Sequence, residues 1–184
     1  MKGNRSLIIA IGVVVVLVIG WWLMRRGGEG GGIDLVTRFE GADKRPPNVF
    51  TLEDVTINGE TKRSIVTAPD QPGTRIIFKT RVPDDGWLRV NMAIKPEAWD
   101  KAGDGVRFMV LVSDGRASDM LFTQDINPQG NQADRKWIPS MVDLSAYGSE
   151  EVDIIFNTYA SPPHKPGDMQ NDLAVWGAPE IVVR

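Results

Sequence analysis

Leu7 to Met24 is an unbroken run of eighteen uncharged, almost wholly apolar residues, and nothing else in the chain resembles it. As a helix rising about 1.5 Å per residue it spans roughly 27 Å, close to the roughly 30 Å hydrocarbon thickness of a bilayer. The run therefore predicts one transmembrane α-helix over 7–26, preceded by a short basic tail, 1–6. Val13 to Val16 would be poor helix formers in water, but a backbone in hydrocarbon must satisfy its own hydrogen bonds, so environment overrides propensity. Trp21 and Trp22 fall at the level of an aromatic belt, and Arg25 and Arg26 anchor the headgroup level. A cleaved signal peptide would show an apolar core of about 7 to 15 residues and a small-x-small cleavage site. This run ends instead in Trp-Trp-Leu-Met-Arg-Arg.

Lys2 and Arg5 on one side balance Arg25 and Arg26 on the other, and the N-terminal amine tips the count toward a cytoplasmic N-terminus. The expected location is a bacterial inner membrane, single-pass, with the folded domain in the periplasm. The span contains no His, Asp, Glu, Lys, Arg, Asn or Gln, so it offers no side-chain proton relay and no imidazole for a haem or chlorophyll. Its partners are the lipid bilayer and, along the small-residue stripe Ala10, Gly12 and Gly20, a neighbouring helix. Residues 27–32 form a Gly-rich linker. Their superficial likeness to a phosphate loop fails, because a dinucleotide loop joins a strand to a helix, whereas this one follows a span and precedes the strand-like Ile33-Asp34-Leu35-Val36.

The formal net charge of -3 averages two different objects. Setting aside Lys2, Arg5, Arg25, Arg26 and Glu29 leaves 17 basic against 23 acidic side chains, about -6 for residues 33–184. That balance excludes nucleic acid as an electrostatic partner, since such binding needs clustered positive charge. With no cysteine, disulfide frameworks, thiolate metal sites and cysteine nucleophiles are excluded as well.

From Ile33 onward, short alternating or β-branched segments are separated by turn residues. Strands are predicted at 35–39, 50–57, 64–67, 75–80, 87–94, 106–112, 120–124, 136–142, 152–158 and 174–183, with one helical turn at 96–102. Asn58-Gly59, Pro72-Gly73, Asp104-Gly105 and Asp114-Gly115 supply turn chemistry between them. Many short strands and almost no helix predict an all-β domain over 33–184, an antiparallel β-sandwich of the jelly-roll kind. Alternation also assigns faces. Leu88, Val90, Met92 and Ile94 point one way, Arg89 and Asn91 the other. Segment 106–112 is apolar on both sides, which predicts a strand covered on both faces.

Catalytic chemistry is sparse. His164 is the one histidine, set among Pro162, Pro163 and Pro166 in a surface-loop context, and no Gly-x-Ser-x-Gly elbow accompanies it. Paired acids occur at Asp84-Asp85, Asp100 with Asp104, Asp114 with Asp119, and Asp168 with Asp172, but loop spacing fixes no separation in space. Asp100-x-Ala102-x-Asp104-Gly105 opens like a calcium loop and then fails, with Ala at position three and Leu111 at position twelve. No catalytic residue and no cofactor are assigned. Trp87 and Trp99 are the candidate contacts for a carbohydrate or a partner, with Trp137 and Trp176 assigned to the core.

Four segments near the C-terminus resemble galactose-binding-like jelly-roll modules of the carbohydrate-binding kind. They are Arg135-Lys136-Trp137-Ile138-Pro139, then Val142 to Gly148 with its Asp143-Leu144-Ser145-Ala146-Tyr147-Gly148 turn, then Val152 to Thr158, and Ala174 to Ile181 with its Trp176-Gly177-Ala178-Pro179 motif. The resemblance implies the sandwich fold, core roles for Trp137 and Trp176, and often a structural calcium ion with no ligands specified. Two functions are expected from the whole. The first is a non-catalytic accessory subunit that braces a larger membrane complex through its span and sandwich. A histidine-free span with a small extracytoplasmic domain resembles the non-pigmented subunits of bacterial photosynthetic reaction-centre and light-harvesting assemblies. The second is a membrane-tethered carbohydrate-binding module of the cell envelope. The first requires an apolar or charged patch facing a partner, the second a solvent-exposed aromatic pair with Asp, Asn or Arg nearby.

Overall fold

The computed structural model describes residues 32–69, 73–160 and 171–184. The expected span with Trp21, Trp22, Arg25, Arg26, Ala10, Gly12 and Gly20, and the loop carrying His164, lie outside the described residues. Among the described residues no helix is long and apolar enough to cross a membrane.

Eleven strands follow in chain order: β1 (Ile33–Asp34), β2 (Asp43–Arg45), β3 (Phe50–Ile57), β4 (Glu60–Thr67), β5 (Thr74–Arg81), β6 (Gly86–Ile94), β7 (Val106–Ser113), β8 (Ser118–Ile126), β9 (Ile138–Asp143), β10 (Glu151–Ala160) and β11 (Ala174–Val183). They make two antiparallel sheets. Sheet A runs β3-β4-β11-β6-β9, with β1 also paired to β11, and sheet B runs β2-β5-β10-β7-β8. From β4 onward the chain crosses between the sheets so that β4-β11-β6-β9 faces β5-β10-β7-β8. This is the doubled Greek key of a jelly roll.

Asn58 and Gly59 both have positive φ, 51° and 83°, which closes the β3–β4 hairpin as a type I′ turn. The expected strand at 35–39 is instead a 3₁₀ turn, Val36–Gly41. The Asp34 carboxylate accepts from the Val36 amide at 2.8 Å, and the Thr37 hydroxyl donates to the Asp34 carbonyl at 2.7 Å. Those local bonds outcompete a sheet ladder, and the turn buries Leu35, Val36 and Phe39.

The inward faces meet in one core. Trp176 is fully buried at its centre, stacked on Phe156 at 4.7 Å between centroids and edge-on to Phe108 at 4.9 Å. Leu88, Val90, Met92 and Ile94 point into this core, as their alternation predicts. One expectation needs correction. β7 lies between β10 and β8, yet only its Phe108, Val110 and Val112 side is fully covered; Met109 and Leu111 are half-buried on the outside of sheet B. Trp137 is buried, but not in the central core. It belongs to a second cluster with Val55, Ile57, Val66, Ala93 and Val175, on the outer side of sheet A.

Candidate functional site

The outer face of sheet A is built by register. Direct antiparallel partners share a face, so the outward row of β6, Trp87, Arg89, Asn91 and Ala93, is flanked on β9 by Asp143, Met141 and Pro139. On β11 it is flanked by Val182, Glu180, Gly177 and Val175. β11 changes neighbour along its length, pairing with β4 as far as Gly177 and with β1 from Glu180 onward. A bulge marks the change, with Ala178 at φ 44° and the Pro179 carbonyl accepting from the Leu35 amide at 3.0 Å. Proline has no ladder N–H to give, and a bulge is where a strand tolerates it.

The bulge leaves a hollow beside it of about 400 Å³, lined by Lys62, Arg89, Asn91, Ser140, Met141 and Glu180. A second hollow, of about 180 Å³, continues past Ala178 and Glu180 to Arg63 and Asp34. Met141 is one of three large hydrophobic side chains exposed among the described residues. At one end of the row stands the half-buried Trp87, with the Arg184 guanidinium 4.6 Å from its ring centroid and Asp143 opposite. At the other end Trp137 lies flat on Gly177, where an added Cβ would come within 2.7 Å of its ring, and its indole N–H donates to the Glu60 carbonyl at 3.1 Å.

Charges along this face are matched in pairs. Arg89 donates to Glu180, and Lys62 meets Glu60 at 2.5 Å. The Ser145 backbone amide, donating to Asp143 at 2.9 Å, holds that carboxyl below the usual carboxylate range, and the Ser145 hydroxyl and Arg184 act in the same direction. Asp143 is therefore an anionic acceptor beside Trp87 through the physiological range.

Lys95 bonds Glu53 at 2.8 Å, and the Glu53 carboxyl is lowered, first by that bond and then by the Thr51 hydroxyl. A depressed carboxylate contributes stability that is complete above its unfolded pKa and is lost as pH falls through the folded one. The Glu53 carboxyl resonance is thus expected to titrate below the ordinary glutamate value and to return toward it in Lys95→Met. An unshifted midpoint in the parent protein would contradict the pairing.

The structure does not bring Trp87 and Trp99 together. Trp87 stands near the start of β6 and Trp99 follows its end, and the strand from Trp87 to Ile94 is roughly 23 Å long. Trp99 is committed to the fold. Its indole N–H donates to the Ile94 carbonyl at 2.8 Å and its ring packs against both apolar clusters. Of the two sequence candidates only Trp87 lies in the outward row. Arg89 and Asn91 were legible as outward-pointing; Met141, Glu180 and Lys62 reach the same place only through cross-strand register and the bulge.

The calcium expectation meets a partial donor set. Among the described residues no three His, Cys, Asp or Glu side chains group as a metal site. The Asp104 Oδ1 is buried without a hydrogen-bond partner, between Gly103 and Gly105. Those glycines line a cavity of about 10 Å³, room for roughly one water. Asp172, Asn127, Gln129 and Asn171 line the same cavity.

The two-sheet sandwich is a fold that solved structures share. The CBM51 module of Clostridium perfringens GH95, solved in complex with methyl-galactose, superposes with a TM-score of 0.52 at 11% identity, over 83% of this chain and 100% of that one. The CBM51-2 and INT domains of Clostridium perfringens ZmpB, with GlcNAc, match at 0.50 and 16%, over 77% of this chain and 27% of that one. The K1 cleaved adhesin domain of Lys-gingipain from Porphyromonas gingivalis W83 matches at 0.51 and 13%, over 84% and 95%. At these identities the likeness is one of fold. No family model matches the sequence. An Archaeoglobus fulgidus protein, described only as uncharacterized, is 39% identical over 101 residues; the match spans 54% of this chain and a quarter of that protein's length.

Proposed function

We propose that this chain is a non-catalytic glycan-binding module, tethered to a membrane by its 7–26 segment, whose ligand lies along the outer face of sheet A. The observation that carries the reading is the row Trp87, Arg89 and Asn91 with Met141, Asp143 and Glu180 beside it. A sugar ring presents an apolar face rimmed by hydroxyls, and it is held by an aromatic or thioether surface flanked by planar hydrogen-bonding groups. Arginine and asparagine donate to hydroxyl oxygens; Glu180 and Asp143 accept from hydroxyl protons. The fold shared with modules solved in complex with methyl-galactose and with GlcNAc supports the same reading. Lys62 and Arg89 in the groove each already face a carboxylate of this chain, which favours a neutral sugar over an acidic one. The bracing role in a photosynthetic complex, suggested by the span, draws no support from the fold comparisons and stands behind this reading.

The test is retention of the full chain, in detergent, on immobilised neutral glycans that include galactose and GlcNAc. Trp87→Ala and Arg89→Ala are expected to weaken retention about tenfold or more each, with an unchanged circular-dichroism spectrum. Trp99→Ala is expected to lower the unfolding temperature and leave retention in place. Full retention by a folded Trp87→Ala protein would overturn the proposal.

A further inference from the structure

The outer face of sheet B has the opposite character. One row crosses four strands: Ile77 on β5, Ile155 on β10, Leu111 on β7 and Met120 on β8. Met109 stands beside it in the next row, which reads Arg75, Asn157, Met109 and Thr123. Met120 is 56% exposed, although its side chain is wholly apolar. Around this band three ion pairs close within the chain: Asp43 with Arg45 at 2.5 Å, Lys79 with Glu151 at 3.0 Å, and Arg107 with Asp125 at 2.6 Å, while Arg75 donates to the neutral Asn157 amide oxygen at 3.0 Å. An apolar centre with methionines and a polar rim, most of it paired within the chain, is the anatomy of a protein interface. The one aromatic of this face, Tyr159, stands opposite Arg107 at the end of β10, away from the apolar row.

We infer that this face pairs with the same face of a second copy of the chain, forming a two-fold dimer in which the two B sheets stack. The argument is self-complementarity. A two-fold axis parallel to the strands, passing between β10 and β7, sets Ile77 opposite the partner copy's Met120, and Ile155 opposite the partner copy's Leu111. A long flexible side chain meets a short branched one at each end of the row, and two branched residues meet at its centre. The same operation sets the flanking row Lys79, Asp153, Ser113 and Ser118 against itself in reverse, so Lys79 meets Ser118 and Asp153 meets Ser113. On the other side Arg75 meets Thr123 and Asn157 meets Met109. No like charges are opposed in any of the three rows, which an isologous interface requires. Four strands about 4.8 Å apart and eight residues long give a footprint of roughly 500 Å². With side-chain relief this is of the order of the ~800 Å² per partner of a standard interface, and packed antiparallel sheets keep their strands within about 30° of each other. The outer A faces then point away from each other, so a dimer would present two grooves outward.

The test is the mass of the full chain in detergent by sedimentation velocity at micromolar concentration. The parent protein is expected as a dimer, and Leu111→Lys with Met120→Lys is expected to weaken dimerisation about tenfold or more. Thr51→Lys, on the outer face of sheet A, is expected to leave the dimer intact; both variants should keep the parent circular-dichroism spectrum. The chain has no cysteine, so Leu111→Cys with a short bismaleimide gives a second readout, expected as a covalent dimer where Thr51→Cys gives none. A monomeric parent protein would overturn the inference. So would a dimer indifferent to the charges at 111 and 120, equal cross-linking at 51 and 111, or occupation of the band by a different membrane protein in place of a second copy.

Discussion

Trp176→Ala is expected to take away a large share of the domain's stability, among the largest single-residue losses in this chain. The indole fills the centre of the sandwich, in contact with Phe156 from sheet B on one face and with Phe108 at its edge. Truncating a buried tryptophan to alanine costs about 3 to 5 kcal/mol, against a total stability for a domain of this size of about 5 to 15 kcal/mol. Both sheets lose their largest shared contact, so the loss is not confined to one element. The indole N–H is buried without a hydrogen-bond partner among the described residues, and an orphan donor of this kind costs about 1 to 3 kcal/mol in the parent protein. Trp176→Phe removes that donor along with part of the ring, so it should lose distinctly less than alanine does. Urea unfolding followed by far-ultraviolet circular dichroism reads both. Equal losses in the two variants would mean that the orphan donor has a partner, and a loss below about 1 kcal/mol for alanine would mean the core closes over the gap.

How much of this was legible in the sequence depended on whether a feature is local. The alternation in Gly86–Ile94 reports which side of a strand faces a core, and it placed Leu88, Val90, Met92 and Ile94 inside and Arg89 and Asn91 outside, as found. Asn58-Gly59 carries its turn in its own φ preferences. The 35–39 segment looked like a strand because apolar residues sit close together there, and the Asp34 side chain, a single capping group, decided otherwise. In β7 the pattern reported two apolar faces correctly, but only register shows that Leu111 joins Ile77, Ile155 and Met120 in a band that none of the described strands or helices covers. Trp137 has the parity of Pro139 and Met141 in the segment 136–142, and it lies on the outer side as they do. The groove was least legible, since it depends on a bulge created where β11 exchanges β4 for β1.

The outer face of sheet A depends on one missing atom. At Gly177 an added Cβ would lie 2.7 Å from Cζ3 and 2.9 Å from Cη2 of Trp137, a distance that real contacts do not show, with the Lys62 side chain at 3.2 Å. Gly177 is therefore the seat of the Trp137 ring, which in turn covers Val55, Ile57, Val66, Ala93 and Val175. Lys62 is flexible and moves aside; the ring is trapped by this cluster and by its bond to the Glu60 carbonyl. Gly177→Ala should accordingly lift the indole and cost about 1 to 3 kcal/mol, which at this chain length is a fall of several degrees in unfolding temperature. Trp137→Ala exposes the whole cluster and should cost about 3 to 5 kcal/mol. The two effects are not independent, because the methyl group has nothing to collide with once the ring is gone. In the Trp137→Ala background, Gly177→Ala should be nearly neutral, giving a coupling of about the size of the Gly177→Ala effect itself. Additive losses would mean that the glycine is needed for backbone reasons at the bulge, not as the seat of the ring. Glycan retention separates the same two cases functionally. Lifting the indole disturbs the Asn91 end of the row, which is paired with Gly177, while Trp87 and Asp143 at the far end keep their places.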